Sequence, residues 1–112
     1  MSKCFQKYSY NINDFALNPT LDETYTTLQG ILNDLSNAVN GANYLHIGGD
    51  EVIYGCWAED DSITSFMALN NIPDYNALLN YFVQRADEIV LKLNRYHLYI
   101  CIILINIIYL CI

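Results

Sequence analysis

Two neighbouring carboxylates, Asp50 and Glu51, directly follow a glycine pair in the run His46-Ile-Gly-Gly-Asp-Glu51. Adjacent carboxylates repel and can settle into different protonation states, the condition for one acid and one stabilising base. The glycines let the backbone turn sharply and come close to a ligand. If residues 43–47 are a strand, the pair lies at its C-terminal end, where α/β folds place their active sites. A bare four-residue match is also an ordinary acidic turn, and alone that reading has the advantage. The surrounding elements decide between the two.

Those elements can be read from periodicity. Leu21, Tyr25, Leu28, Leu32, Leu35 and Val39 recur every four and three residues, an apolar stripe that predicts a helix over about 20–40. Thr20 and Glu23 have the spacing of a capping box, and Asn40-Gly41 supplies a stop. Asn43 to Ile47 is a short β-prone run between turn residues, expected as a strand buried on both faces. Asp60-Asp61-Ser62 can cap a helix to about Leu69 with Ile63, Phe66 and Met67 inward. Asp74 can cap a second long helix with the stripe Tyr75, Leu79, Phe82, Ala86, Ile89 and Leu93. The order helix, strand, loop, helices predicts one and a half units of an α/β architecture.

Composition sets bounds. The 112 residues allow one domain at most, too few to close an eight-fold barrel of roughly 200 residues or more. A net charge of −7 repels phosphate backbones and anionic membranes, which argues against nucleic-acid binding. An apolar content of 54% excludes a disordered chain. The charges all lie between Lys3 and Arg95, and Leu98 to Ile112 carries seven isoleucines in fifteen residues. That run is marginal for a membrane helix of about 20 residues. The first residues have no apolar core of a signal peptide.

From Cys4 to about Leu93 the chain resembles the β-N-acetylhexosaminidases, the family 20 glycoside hydrolases, which fold as (β/α)8 barrels. Four ordered segments carry the resemblance. Leu17-Asn-Pro-Thr-Leu21 is similar to the approach to the helix before the catalytic strand, and His46-Ile-Gly-Gly-Asp-Glu-Val52 to the catalytic signature. Cys56-Trp57 stands where the family has a Cys-Trp pair, and Tyr81-Phe-Val-Gln-Arg85 resembles the next helix. The fold implied is a partial (β/α)8 TIM barrel, a family fragment over 1–95 followed by an apolar tail over 96–112 outside the family pattern.

The resemblance implies hydrolysis of terminal non-reducing N-acetylhexosamine residues by a substrate-assisted retaining mechanism, an exception to the two-carboxylate scheme. Glu51 matches the general acid/base, and Asp50 the residue that orients the acetamido group and stabilises its developing charge. His46 matches a supporting histidine, but an ordinary strand histidine is an equal reading. Trp57 could line a sugar site or pack beside the loop. No cofactor is implied. A metal is not expected, because His97 stands fifty-one residues from His46 and no second histidine has ligand spacing. The Glu59-Asp60-Asp61 run is expected as a solvated helix start rather than a Ca²⁺ site.

In lysosomal members a cysteine before the Asn-Pro segment pairs with that of Cys-Trp, so the resemblance implies a Cys4–Cys56 disulfide and a lysosomal or secretory lumen. Partners implied are N-acetylhexosamine-terminated glycans, and family members often dimerise. Membrane contact is expected only if the tail is a real anchor.

The family's N-terminal domain, its substrate-binding arginine and its later pocket tryptophans have no counterpart among these residues. Asp14-Phe15-Ala16 replaces a glycine-bearing approach, and no tryptophan follows Tyr96. Three readings of the tail stand in order: translation through an intron or past a frameshift, a C-terminal membrane anchor, and a buried element of a private fold. The 112-residue chain alone is expected to be inactive. The alternatives are a catalytically dead truncation and a small membrane-anchored protein.

Overall fold

The structure, a computed structural model, describes residues 16–39, 43–47 and 52–98. Helix α1 spans Asp22–Ala38. Its entry is built by Asn18 rather than by the expected capping box. The Asn18 Oδ1 accepts from the Thr20 backbone N–H at 2.9 Å and from the Thr20 hydroxyl at 2.8 Å. The Thr24 hydroxyl donates to the Asn18 carbonyl at 2.7 Å. Leu21 is then the N-cap residue, and no side chain caps the helix. Pro19 fixes φ beside an Asn that folds onto the backbone two residues on, so the Asx turn captures the hydroxyl a capping box would have used. Asp22 and Glu23 remain in the first turn, where negative charge suits the helix dipole.

The two other anticipated helices form with their caps. Helix α2, Gly55–Ala58, is a short turn that periodicity could not reveal. Helix α3 spans Asp61–Leu69, with Asp60 accepting from the Ser62 N–H at 2.9 Å. Hydrogen bonding from the Ser62 side chain holds the Asp60 carboxyl below its ordinary range, against the opposing effect of burial. Helix α4 spans Tyr75–Lys92, with Asp74 accepting from the Ala77 N–H at 2.8 Å. Both long helices after the loop end in the left-handed residue of a Schellman motif: Asn71 has φ 54° and Asn94 has φ 55°. The Ile72 N–H reaches the Met67 carbonyl at 2.9 Å, and the Arg95 N–H reaches the Val90 carbonyl at 3.3 Å.

Strand β1, Tyr44–His46, pairs in parallel with strand β2, Tyr96–Leu98. The register is Tyr44 to Tyr96, Leu45 to His97 and His46 to Leu98. A parallel pair needs a crossover, and residues 47–95 with α2, α3 and α4 supply it. The expectation that β1 is buried on both faces is corrected. Leu45 is 3% exposed, whereas Tyr44 is 58% exposed and His46 is exposed as well. Alternation along a strand sends Leu45 toward the helices and its neighbours to the other face. Among the described residues only the first face is covered.

Two apolar clusters hold these elements together. Tyr25, Leu32, Leu45, Ile89 and Val90 join α1, β1 and α4. Trp57, Ile63, Met67 and Leu78 join α2, α3 and the start of α4. Tyr81 packs against both. At the far end of α1, Arg95 donates to the Ser36 hydroxyl at 2.9 Å and its carbonyl at 3.3 Å, which ties the start of β2 to the C-terminal turn of that helix. The Tyr96 N–H then donates to the Asn43 carbonyl at 2.8 Å.

Candidate active site

The site is approached along β1. Leu45 anchors the strand in the first cluster, and Ile47 packs against that same cluster. Val52 packs against the second. The four residues between them in sequence, Gly48 to Glu51, include both candidate carboxylates. Asp50 and Glu51 lie outside the described residues, as does Cys4.

The segment after Glu51 is held from several directions. Trp57 is 2% exposed, and its indole Nε1–H donates to the Leu17 carbonyl at 3.0 Å, forty positions away in sequence. A buried tryptophan needs a partner for that N–H, and here a backbone carbonyl of the Asn-Pro approach supplies it. The Tyr54 ring stacks on Trp57 at 5.6 Å and 17°, and its hydroxyl donates to Asn76 Oδ1 at 2.7 Å. Burial, with a smaller contribution from Asp74, raises the Tyr54 pKa. Of the two readings of Trp57, burial supports packing beside the loop. Cys56 is disulfide-bonded, and its partner lies outside the described residues.

His46 closes β1 on its uncovered face, four positions before Asp50. Among the described residues no three side chains of metal-ligating type come together, and no helix is long and apolar enough to cross a membrane.

Sequence reasoning missed a second network behind the strand. The Arg85 guanidinium lies 3.6 Å from the centroid of the Tyr25 ring. It donates to Asp22 at 2.9 Å and to the Tyr81 hydroxyl at 3.2 Å. The Tyr25 hydroxyl donates to the Pro19 carbonyl at 2.7 Å. The signal available in sequence was Arg85 one helical turn after Tyr81, which puts both on one face. Its contact with Tyr25 across two helices had none.

A parallel strand pair with helices on one face describes a βα unit of an α/β protein. The family described as glycosyl hydrolase family 20, catalytic domain, matches residues 1–101, and the chain belongs to that family. The match therefore runs through β2 and past the change in composition near Arg95. A chitooligosaccharidolytic beta-N-acetylglucosaminidase of Ostrinia furnacalis is 40% identical over 76 residues, covering 64% of this chain and 13% of the relative. The beta-hexosaminidase subunit beta of Homo sapiens is 27% identical over 96 residues, 85% of this chain and 17% of the relative. The beta-hexosaminidase subunit A1 of Dictyostelium discoideum is 31% identical over 88 residues, 79% of this chain and 16% of the relative. The chain thus spans between 13% and 17% of the length of these curated relatives.

Proposed function

We propose that this chain carries the catalytic strand and the carboxylate loop of a β-N-acetylhexosaminidase that removes terminal non-reducing N-acetylhexosamine from glycans. The observation that supports this most is the position of Asp50 and Glu51 after β1, a strand paired in parallel with β2 in a chain of family 20. In this reading β1 and β2 are neighbouring strands of a (β/α)8 barrel, and the uncovered face with Tyr44 and His46 looks into its interior.

The reaction would proceed in two steps. The substrate's own acetamido oxygen attacks the anomeric carbon as the glycosidic C–O bond breaks, and Glu51 gives its proton to the leaving oxygen. Asp50 holds the acetamido group and balances the positive charge of the oxazolinium ring that forms. Glu51, now ionised, takes a proton from water as the water's oxygen attacks the same carbon and reopens the ring. His46 would support the pair by hydrogen bonding. The bond of Cys56 is assigned to Cys4, a bridge that belongs in an oxidising compartment and favours a lysosomal or secretory lumen. Several relatives are named as subunits, which supports association of the complete enzyme.

Substrate assistance can be tested directly. The complete product of the gene should cleave an aryl N-acetyl-β-hexosaminide and leave the aryl β-glucoside, which has a hydroxyl in place of the acetamido group, untouched. Asp50→Asn should lower turnover of the first substrate by about 100-fold or more. Equal cleavage of both substrates would contradict the proposal.

A further inference from the structure

We propose that the flank of α1 carrying Ile31, Leu35 and Val39 is a seam that receives the preceding βα unit of the complete protein. The strand of that unit pairs in parallel with the open edge of β1. The inference rests on the barrel reading and not on the roles of Asp50 and Glu51.

Two observations meet on one side of the structure. The first is on α1, where Tyr25 and Leu32 are buried in the cluster shared with Leu45, Ile89 and Val90. A helix turns by about 100° per residue, so Ile31 and Leu35 stand roughly a quarter of a turn to one side of that buried line. Asp22, which bonds Arg85 of α4, stands to the other side. Ile31 is 60% exposed and Leu35 42%, and Val39 continues the flank at the end of the helix. The charged residues of α1, Asp22, Glu23 and Asp34, all fall off it. The apolar arc of α1 is thus wider than the core beneath it, and the surplus points away from α4.

The second observation is on β1. Among the described residues β1 has β2 on one edge and no strand on the other. Helix α4 is the crossover from β1 to β2, and α1 and α4 cover the same face, where both meet Leu45. Helix α1 runs into β1 and so stands where a crossover from an earlier parallel strand would stand. Crossovers of one hand on one face must step in one direction along a sheet. The order is therefore earlier strand, β1, β2. The earlier strand takes the open edge of β1, and its unit lies beside the flank of α1 that faces away from α4. An open parallel edge and an uncovered apolar flank are both liabilities in a folded protein, and one occupant removes both. The chain spans between 13% and 17% of the length of its relatives, so proteins of this family are long enough to supply that unit.

The complete protein tests this with two replacements at position 35. Photo-leucine, a diazirine analogue close to leucine in size, preserves packing and reports the neighbour. Irradiation should cross-link it, within one chain, to residues that precede this segment. Leu35→Cys reports burial: its thiol should be labelled about 100-fold or more slowly than in the urea-unfolded protein, because a covered seam reacts only when it opens. Cross-links to a second copy or to residues 1–15 would name a different occupant and overturn the inference. Labelling at the unfolded rate would overturn it as well. Assay of the same protein on an aryl N-acetyl-β-hexosaminide separates this from the proposed function. An active enzyme with an open flank loses the seam and keeps the function. A covered flank in a protein without that activity keeps the seam and loses the function.

Discussion

Arg85 sits over the Tyr25 ring across two helices, the guanidinium carbon 3.6 Å from the ring centroid. The same guanidinium donates to Asp22 on α1 and Tyr81 on α4. Tyr25 passes the connection on to the Pro19 carbonyl. One arginine thus holds α1 against α4 and steadies the turn that receives the Trp57 indole. The partners differ in weight. Asp22 is 87% exposed, so its ion pair is screened by water, while the contact on Tyr25 is sheltered by the helices.

That difference predicts unequal effects. Arg85→Met, which keeps the apolar stem, should destabilise the protein by about 1–2 kcal/mol through loss of the ring contact and the Tyr81 bond. Asp22→Asn should cost no more than about 0.5–1 kcal/mol, and less in high salt. Urea midpoints of the two variants give the comparison. A larger loss for Asp22→Asn would show that the ion pair dominates.

Burial pushes the Tyr25 pKa from its ordinary 10.0 up to about 12, although Arg85 pulls it the other way. A raised pKa means that the folded state holds the phenolic proton more tightly than the unfolded chain. The stability this gives is complete below pH 10 and is lost as pH rises through about 12. Tyr25→Phe should therefore be less stable than the native protein by about 1 kcal/mol at neutral pH, from the missing bond to Pro19. The gap should narrow as pH passes from 10 to 12. Phenolate absorbance of Tyr25→Phe should lose a tyrosine component that titrates near 12.

The start of α1 distinguishes an Asx turn from a capping box. Asn18→Ala removes the acceptor of two hydrogen bonds and should cost about 1 kcal/mol. Glu23→Ala should stay within about 0.5 kcal/mol, because Glu23 only adds charge to an exposed first turn. Thermal melts of both variants decide it; a larger effect of Glu23→Ala would restore the box.

Sequence pattern revealed what depends on near neighbours. The caps at Asp60 and Asp74 were legible because a carboxylate and an N–H two or three residues on make a local bond. The inward positions Ile63 and Met67 followed from the same helix period. The stripe drawn on α4 omitted Leu78 and Val90, both completely buried. A single line of threes and fours is narrower than the face a helix presents when it touches two clusters, as α4 does. Composition set apart the residues after Arg95, yet Tyr96–Leu98 form the strand beside β1. Strand pairing is a long-range choice that no window around Tyr96 contains.

The same divide runs through the candidate site. The run His46 to Glu51 was conspicuous because its chemistry is written in adjacent residues. The bond from Trp57 to Leu17 was invisible, since its acceptor is a backbone carbonyl with no residue type to mark it. Asp50 and Glu51 themselves lie outside the described residues, so their roles rest on the motif, the family and the strand that precedes them.

The most direct test is turnover of a terminal N-acetylhexosamine disaccharide by the complete gene product and by its Glu51→Gln variant, folded to the same extent. Loss of the general acid should lower kcat by between about 100- and 10,000-fold. Near-normal turnover by Glu51→Gln would contradict the role given to that carboxylate and, with it, the mechanism.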